Sequence, residues 1–159
     1  MNKDLIGRWN DVIPPDGEVY HLGDFAWHKF QATEKIIKQL NGNIHLIIGN
    51  HCHRMSNDWD KFSSLFSSVQ YQLLLQTEDN VQFLLNHCPF LEWSGMEKGV
   101  YHLYGHTHQD DLNDRKDIYY KIHPNALNVG VDNNMMNPFT YNDVINRINW
   151  QNKIKLNKK

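Results

Sequence analysis

The feature that most constrains this chain is where its polar residues fall. Four apolar runs each stop at a small cluster of carboxylate, amide or imidazole groups. The run Glu18 to Gly23 leads into Asp24, and Ile44 to Ile48 leads into Gly49-Asn50-His51. Val81 to Asn86 runs into His87, and Val100 to Tyr104 into Gly105-His106-Thr107-His108. In open α/β sheets, loops beyond the strand ends build the binding crevice. Chance could place one such cluster there, but four in one chain point to a site assembled from strand ends.

The segments around these runs set the fold class. Leu5, Ile6, Trp9, Val12 and Ile13 recur at helical spacing and stop at Pro14-Pro15-Asp16-Gly17. Ala32 to Leu40 reads as an amphipathic helix closed by Asn41-Gly42-Asn43, and Trp59 to Phe66 as another helix. Tyr71 to Gln76 and Val81 to Asn86 flank Thr77-Glu78-Asp79-Asn80 as a hairpin. Ala126 to Val131 reads as a strand and Thr140 to Ile148 as the final helix. Strand–helix–strand first, then strands in succession, predicts an α/β domain with a mixed sheet. With 159 residues and no repeat, low-complexity tract or linker, one domain over 1–150 is expected, followed by a basic tail over 151–159.

Composition narrows the function classes. A formal charge of −2 leaves no global electrostatic footprint for nucleic acid. The exception is local: Gln151 to Lys159 holds four lysines and no acid, a solvated end that could alternatively touch phosphate backbone. Cys52 and Cys88 cannot make a disulfide framework and suit a reducing compartment. The opening residues lack the apolar core of a signal peptide, and no run approaches a membrane span, so a cytoplasmic protein is expected.

Histidine is unusually frequent, at ten residues, and imidazole is the commonest metal ligand. Together the four clusters offer a carboxylate, a side-chain amide oxygen and several imidazoles. Such mixed O/N donors suit Mn, Fe, Zn or Ni better than Ca or Mg. A glycine ahead of three clusters lets the strand end bend sharply and the backbone approach a ligand closely.

Gly23-Asp24, Gly49-Asn50-His51, His87 and Gly105-His106-Thr107-His108 occur in an order and spacing that resemble the calcineurin-like metallophosphoesterases, especially their small stand-alone bacterial and phage members. The resemblance runs from about Asp4 to the final helix and includes Asn128-Val129-Gly130-Val131-Asp132. It implies a sandwich of mixed β-sheets flanked by helices, with two divalent transition metals, Mn foremost, at one edge. By the same resemblance Asp24 bridges both ions, Asn50, His87 and His106 complete one shell, and His108 binds the other ion. Asn50 and His51 are the implied catalytic pair, His51 meeting the phosphoryl oxygen or protonating the leaving group. The activity implied is hydrolysis of a phosphomonoester or phosphodiester by a metal-bound hydroxide, on a small phosphate ester or nucleotide. Nucleic acid is not favoured as substrate, no membrane partner is expected, and a homo-oligomer stays open.

Two departures qualify the resemblance. The family opens with a D-x-H motif on a first strand, and nothing before Asp24 supplies it. A truncated chain, a naturally shortened one, or a gap filled by a second chain would each account for this. A weak or inactive relic that binds metal or a partner is accordingly the alternative to an enzyme. Second, Cys52 stands where the family carries a carboxylate beside its histidine, and a thiol is a poor acceptor. His53 is the neighbour that could share the role of His51.

The remaining candidates have plainer readings. His21, His45 and His102 lie within apolar strands and are expected as satisfied core or sheet-face histidines, while His28 and His123 have no motif support. Trp27, Phe90 and Trp93 flank the motif loops and are read as packing residues. Asp132 either supports the site from behind or caps a strand end.

Overall fold

The computed structural model describes residues 2–25, 30–52, 59–108 and 123–156; Trp27, His28 and His53 lie outside them. Helix α1 (Asn2–Val12) leads through the Pro14–Gly17 turn into β1 (Glu18–His21). Then come α2 (Phe30–Ile37), β2 (Asn43–Ile47), α3 (Trp59–Ser63) and β3 (Ser68–Gln70). Strands β1, β2 and β3 form one parallel sheet in that order. Parallel neighbours need a crossover, which α2 and α3 provide.

The hairpin follows as β4 (Gln72–Gln76) and β5 (Gln82–Asn86), antiparallel with Leu74 opposite Leu84. Strands β6 (Tyr101–Tyr104) and β7 (Ala126–Asn128) extend it in parallel, giving a second sheet of order β4-β5-β6-β7. The long helix α4 (Tyr141–Leu156) closes the chain. Two sheets flanked by helices make the α/β sandwich expected from the sequence; one sheet is mixed and the other purely parallel.

Side-chain alternation builds the layers. In β2, Ile44 and Leu46 face a cluster with Phe62 and Phe66, where Trp9 of α1 and Phe30 and Ile37 of α2 also pack. The neighbouring Ile47 points the other way, into a core with Phe83, Leu85 and Leu127 of the second sheet and Val144 and Ile148 of α4. Leu84, between two of those residues, faces a third cluster with Trp93, Val100 and Tyr104. This period of two assigns each strand one face per layer. Each fully buried aliphatic side chain contributes about 1.5–3 kcal/mol.

Several boundaries differ from the sequence reading. β1 stops at His21 because Gly23 and Asp24 take positive φ, +94° and +52°, which no strand accommodates. α2 and α3 are shorter at their carboxyl ends, where Leu40 and Phe66 donate to carbonyls three residues back in tightened turns. β7 ends at Asn128, and a 3-10 turn covers Val131–Asn134. Helix α4 runs on from Ile148 to Leu156, into the stretch read as a tail. β3 was not anticipated, since three residues carry no periodic signal; it exists by pairing with β2. Among the described residues, no helix is long and apolar enough to cross a membrane.

Candidate metal centre

The four clusters meet at one end of the sandwich, and two glycines let them do so. A methyl on Gly23 would lie 2.8 Å from Cα and 2.9 Å from N of Gly49, so the first two loops cross in backbone contact. A methyl on Gly49 would strike the Asp24 carboxylate. Asp24 and His106 both hold left-handed backbone conformations, with φ of 52° and 65°. For residues with a Cβ this costs on the order of 1–3 kcal/mol, and such strain gathers at functional sites.

The donors converge closely. His87 Nδ1 donates to the Leu22 carbonyl at 2.7 Å, which leaves Nε2 as a lone pair when the ring is neutral. That Nε2 sits 2.8 Å from Asn50 Oδ1, 3.1 Å from His106 Nδ1 and 3.4 Å from Asp24 Oδ2. His106 Nδ1 is also 3.1 Å from Asn50 Oδ1. The other carboxylate oxygen of Asp24 accepts from the backbone N–H of His51 at 2.8 Å, with Oδ2 turned toward His87. The donors of Asn50, His87 and His106 thus lie within 3.1 Å of one another, with the Asp24 carboxylate against His87. A proton can bridge one pair of them, whereas a divalent cation would satisfy all at once, so the donor set fits a metal ion. Burial, and then the neighbouring charge of His87, push the His106 imidazole below its ordinary range, which keeps it neutral and able to ligate.

His108 stands apart from this group. Its side chain is 91% exposed, and Nδ1 lies 3.6 Å from Asp132 Oδ2. Asp132, left between two roles by the sequence, is therefore paired with a site histidine. His51 contributes its backbone N–H to Asp24, and its ring is close enough to bear on the charge of His106. Cys52 is buried at 3% exposure and its sulfur accepts from the Gly49 N–H at 3.3 Å, holding the loop rather than only replacing a carboxylate.

Two residues to which the sequence assigns no site role take one here. Cys88 joins His87 and His106 in a group whose ligand atoms all lie within 4.8 Å of one another. Burial, then the charge of Asp24, push its thiol up, so it stays protonated at neutral pH. Its one signal was its place directly after His87. Asn128 is 1% exposed and clamps the His106–His108 loop: Nδ2 donates to the Thr107 carbonyl at 2.6 Å and to Thr107 Oγ1 at 3.0 Å, while Oδ1 accepts from Gly130 N at 2.9 Å. A buried polar side chain satisfied on both ends rigidifies what it holds.

The other histidines divide. His45 bridges Ser68 Oγ at 2.8 Å and Glu18 Oε2 at 2.6 Å, and His102 donates to the Leu84 carbonyl while accepting from Phe90 N, so both are satisfied as expected. His123 accepts from Asn125 N. Phe90 stacks on His102 and Trp93 donates to the Val100 carbonyl, consistent with packing roles. His21 corrects the reading: its Nδ1 is buried without a hydrogen-bond partner among the described residues, because it borders a largely apolar cavity.

No family model matches the chain. It is 31% identical over 139 residues to the uncharacterized protein MJ1445 of Methanocaldococcus jannaschii, spanning 86% of this chain and 68% of that protein. Among solved structures, it superposes on a protein of unknown function, AQ665 from Aquifex aeolicus, with a TM-score of 0.68 at 20% identity, covering 91% of this chain and 83% of the other. A structure described as a novel archaeal phosphodiesterase matches with a TM-score of 0.50, also at 20% identity, over 81% and 74%. These two likenesses concern the fold.

Proposed function

The chain belongs to the family of the uncharacterized Methanocaldococcus jannaschii protein MJ1445, and from that premise we propose that it is a metal-dependent phosphoesterase of the calcineurin-like type, acting on a phosphomonoester or phosphodiester. One observation carries the reading: Asn50 Oδ1, His87 Nε2 and His106 Nδ1 lie within 3.1 Å of one another, with Asp24 Oδ2 3.4 Å from His87 Nε2. The fold shared with a protein described as a phosphodiesterase supports it.

Asp24, Asn50, His87 and His106 would hold one divalent transition metal, with Mn preferred over Fe, Zn or Ni. Asp24 and His108 would face a second, with Asp132 3.6 Å behind His108. When bound, such ions supply positive charge to orient a phosphate and to acidify water. The chain's own residues do the rest. Asn50 orients a phosphoryl oxygen with the part of its amide not turned to the imidazoles. His51, anchored through its backbone to Asp24, carries the proton for the leaving oxygen. A general acid so placed adds typically ~10²–10⁴-fold.

The test is turnover of bis(4-nitrophenyl) phosphate and 4-nitrophenyl phosphate with added Mn²⁺, with Asp24→Ala run beside the unaltered chain. Hydrolysis is expected for the unaltered chain, and the variant should lose at least ~10²-fold, since second-sphere changes alone cost 10–100-fold. A folded chain that takes up no stoichiometric metal and turns over neither ester would overturn the proposal.

A further inference from the structure

Strand β4 is the outer strand of the second sheet, paired with β5 on one side and with no strand on the other among the described residues. Native sheets blunt such an edge with lysine, proline or a bulge, because its free N–H and C=O groups can template another strand. This edge has none of these. Between Lys61 and Glu78 the chain carries no charged residue and no proline, and the register with β5 runs unbroken from Gln72 to Gln76.

The surface beside the edge continues the interior. Directly paired residues share a face of the sheet, and the register sets Leu74, Leu84, His102 and Ala126 in one row across all four strands. Leu84, His102 and Ala126 are buried, and Leu84 and Ala126 lie in the cluster that Phe90, Trp93 and Met96 cover. Leu74 ends the row 55% exposed. Its neighbours Leu73 and Leu75 point the other way and pack against the core that holds Phe83 and Leu85.

Two features select what belongs there. The strand reads Gln72-Leu73-Leu74-Leu75-Gln76, the same in both directions. An antiparallel copy related by a two-fold axis through Leu74 therefore sets Leu74 beside Leu74, Leu73 beside Leu75 and Gln72 beside Gln76. Apolar side chains meet apolar ones, and amides meet amides. The missing charge is the second feature, since a two-fold axis sets like beside like and a charge at its centre would repel its own copy. A two-fold contact is also closed, so it consumes both edges instead of propagating.

We propose that β4 pairs with β4 of a second copy of this chain, antiparallel about Leu74, joining the two four-stranded sheets into one. The two edges exchange backbone hydrogen bonds, and the facing leucines, with Cβ atoms ~4.5–5.5 Å apart, shield each other from water. Tyr71, 75% exposed, falls opposite Thr77 in the same register and lengthens the contact. This inference does not rest on the proposed activity.

Sedimentation of the unaltered chain, Leu74→Lys, Leu74→Glu and an equal mixture of the two variants tests it, with circular dichroism of each. The unaltered chain is expected to be a dimer, and each variant a folded monomer whose dimer dissociation constant has risen at least ~100-fold, because like charges are forced together. The mixture is expected to dimerise again, since only a position that faces itself is rescued by its opposite charge. A monomeric unaltered chain would overturn the proposal, as would a dimer indifferent to Leu74→Lys or a mixture that stays monomeric. Hydrogen exchange of the β4 amides in the unaltered chain needs no variant. It is expected to slow at least tenfold from dilute to concentrated solution, and equal rates at both would equally overturn the proposal.

Discussion

At the scale of single residues, the site depends on a few side chains that fix others in place. Asn128 is one, since it holds the loop carrying His106 and His108 through Thr107. Asn128→Ala removes both ends of that clamp and leaves the Thr107 carbonyl without its donor. The expected cost is about 1–3 kcal/mol in urea unfolding, together with weaker Mn²⁺ binding by calorimetry. A loss of stability with unchanged metal affinity would confine Asn128 to the fold. His21 gives a pH dependence. Burial first, then the charge of His87, push its pKa down to about 4, against the partial opposition of Asp24. The folded state therefore keeps the ring neutral, while the unfolded chain takes up a proton below about 6.5. Between those values the unfolded state binds more protons, so stability is full above pH 6.5 and declines as pH falls toward 4. The loss should reach about 3 kcal/mol, and His21→Phe should flatten that part of the profile in urea unfolding at stepped pH. An unchanged slope would rule His21 out as its source.

At the scale of elements, helix α4 shows how tertiary contact extends a segment beyond its apparent end. Its residues Val144 and Ile148 are buried in the core that also holds Ile47, Phe83, Leu85 and Leu127. Gln151 adds hydrogen bonds from its amide to the carbonyls of Pro124 at 3.2 Å and Ala126 at 3.1 Å, tying the next turn to β7. Ile148→Ala should cost about 2–5 kcal/mol, the range for an aliphatic side chain removed from a packed interior, as read from the urea midpoint. Lys153→Ala, on an exposed position of the same helix, should change stability by under ~0.5 kcal/mol. Comparable effects at both positions would mean that α4 is held by something other than its buried face.

At the scale of the molecule, the two sheets bring loops from distant parts of the sequence to one end of the sandwich. On the proposed reading a cation joins the donors gathered there, so metal binding and folding would be linked. Adding Mn²⁺ at a hundredfold excess over its Kd should stabilise the chain by about 2.7 kcal/mol, seen as a saturable rise in thermal midpoint that a chelator reverses. His106→Ala should abolish the rise. A shift that persists in the variant would place the ion elsewhere.

The sequence by itself determined which strand ends carry polar donor clusters, and the hairpin and most helices, because glycine punctuation and apolar periodicity are local signals. It also pointed to Asp24, Asn50, His87 and His106; the structure brings the last three into mutual contact and Asp24 against His87. Only the tertiary structure decided the rest. β3 exists through its pairing with β2, and Asn128 matters because β7 lies behind the His106 loop. Cys88 enters the site by proximity to His106, and the unpartnered nitrogen of His21 shows only once the cavity beside it is formed. In each case the deciding interaction joins residues far apart in the chain, and no local pattern encodes which of them will meet.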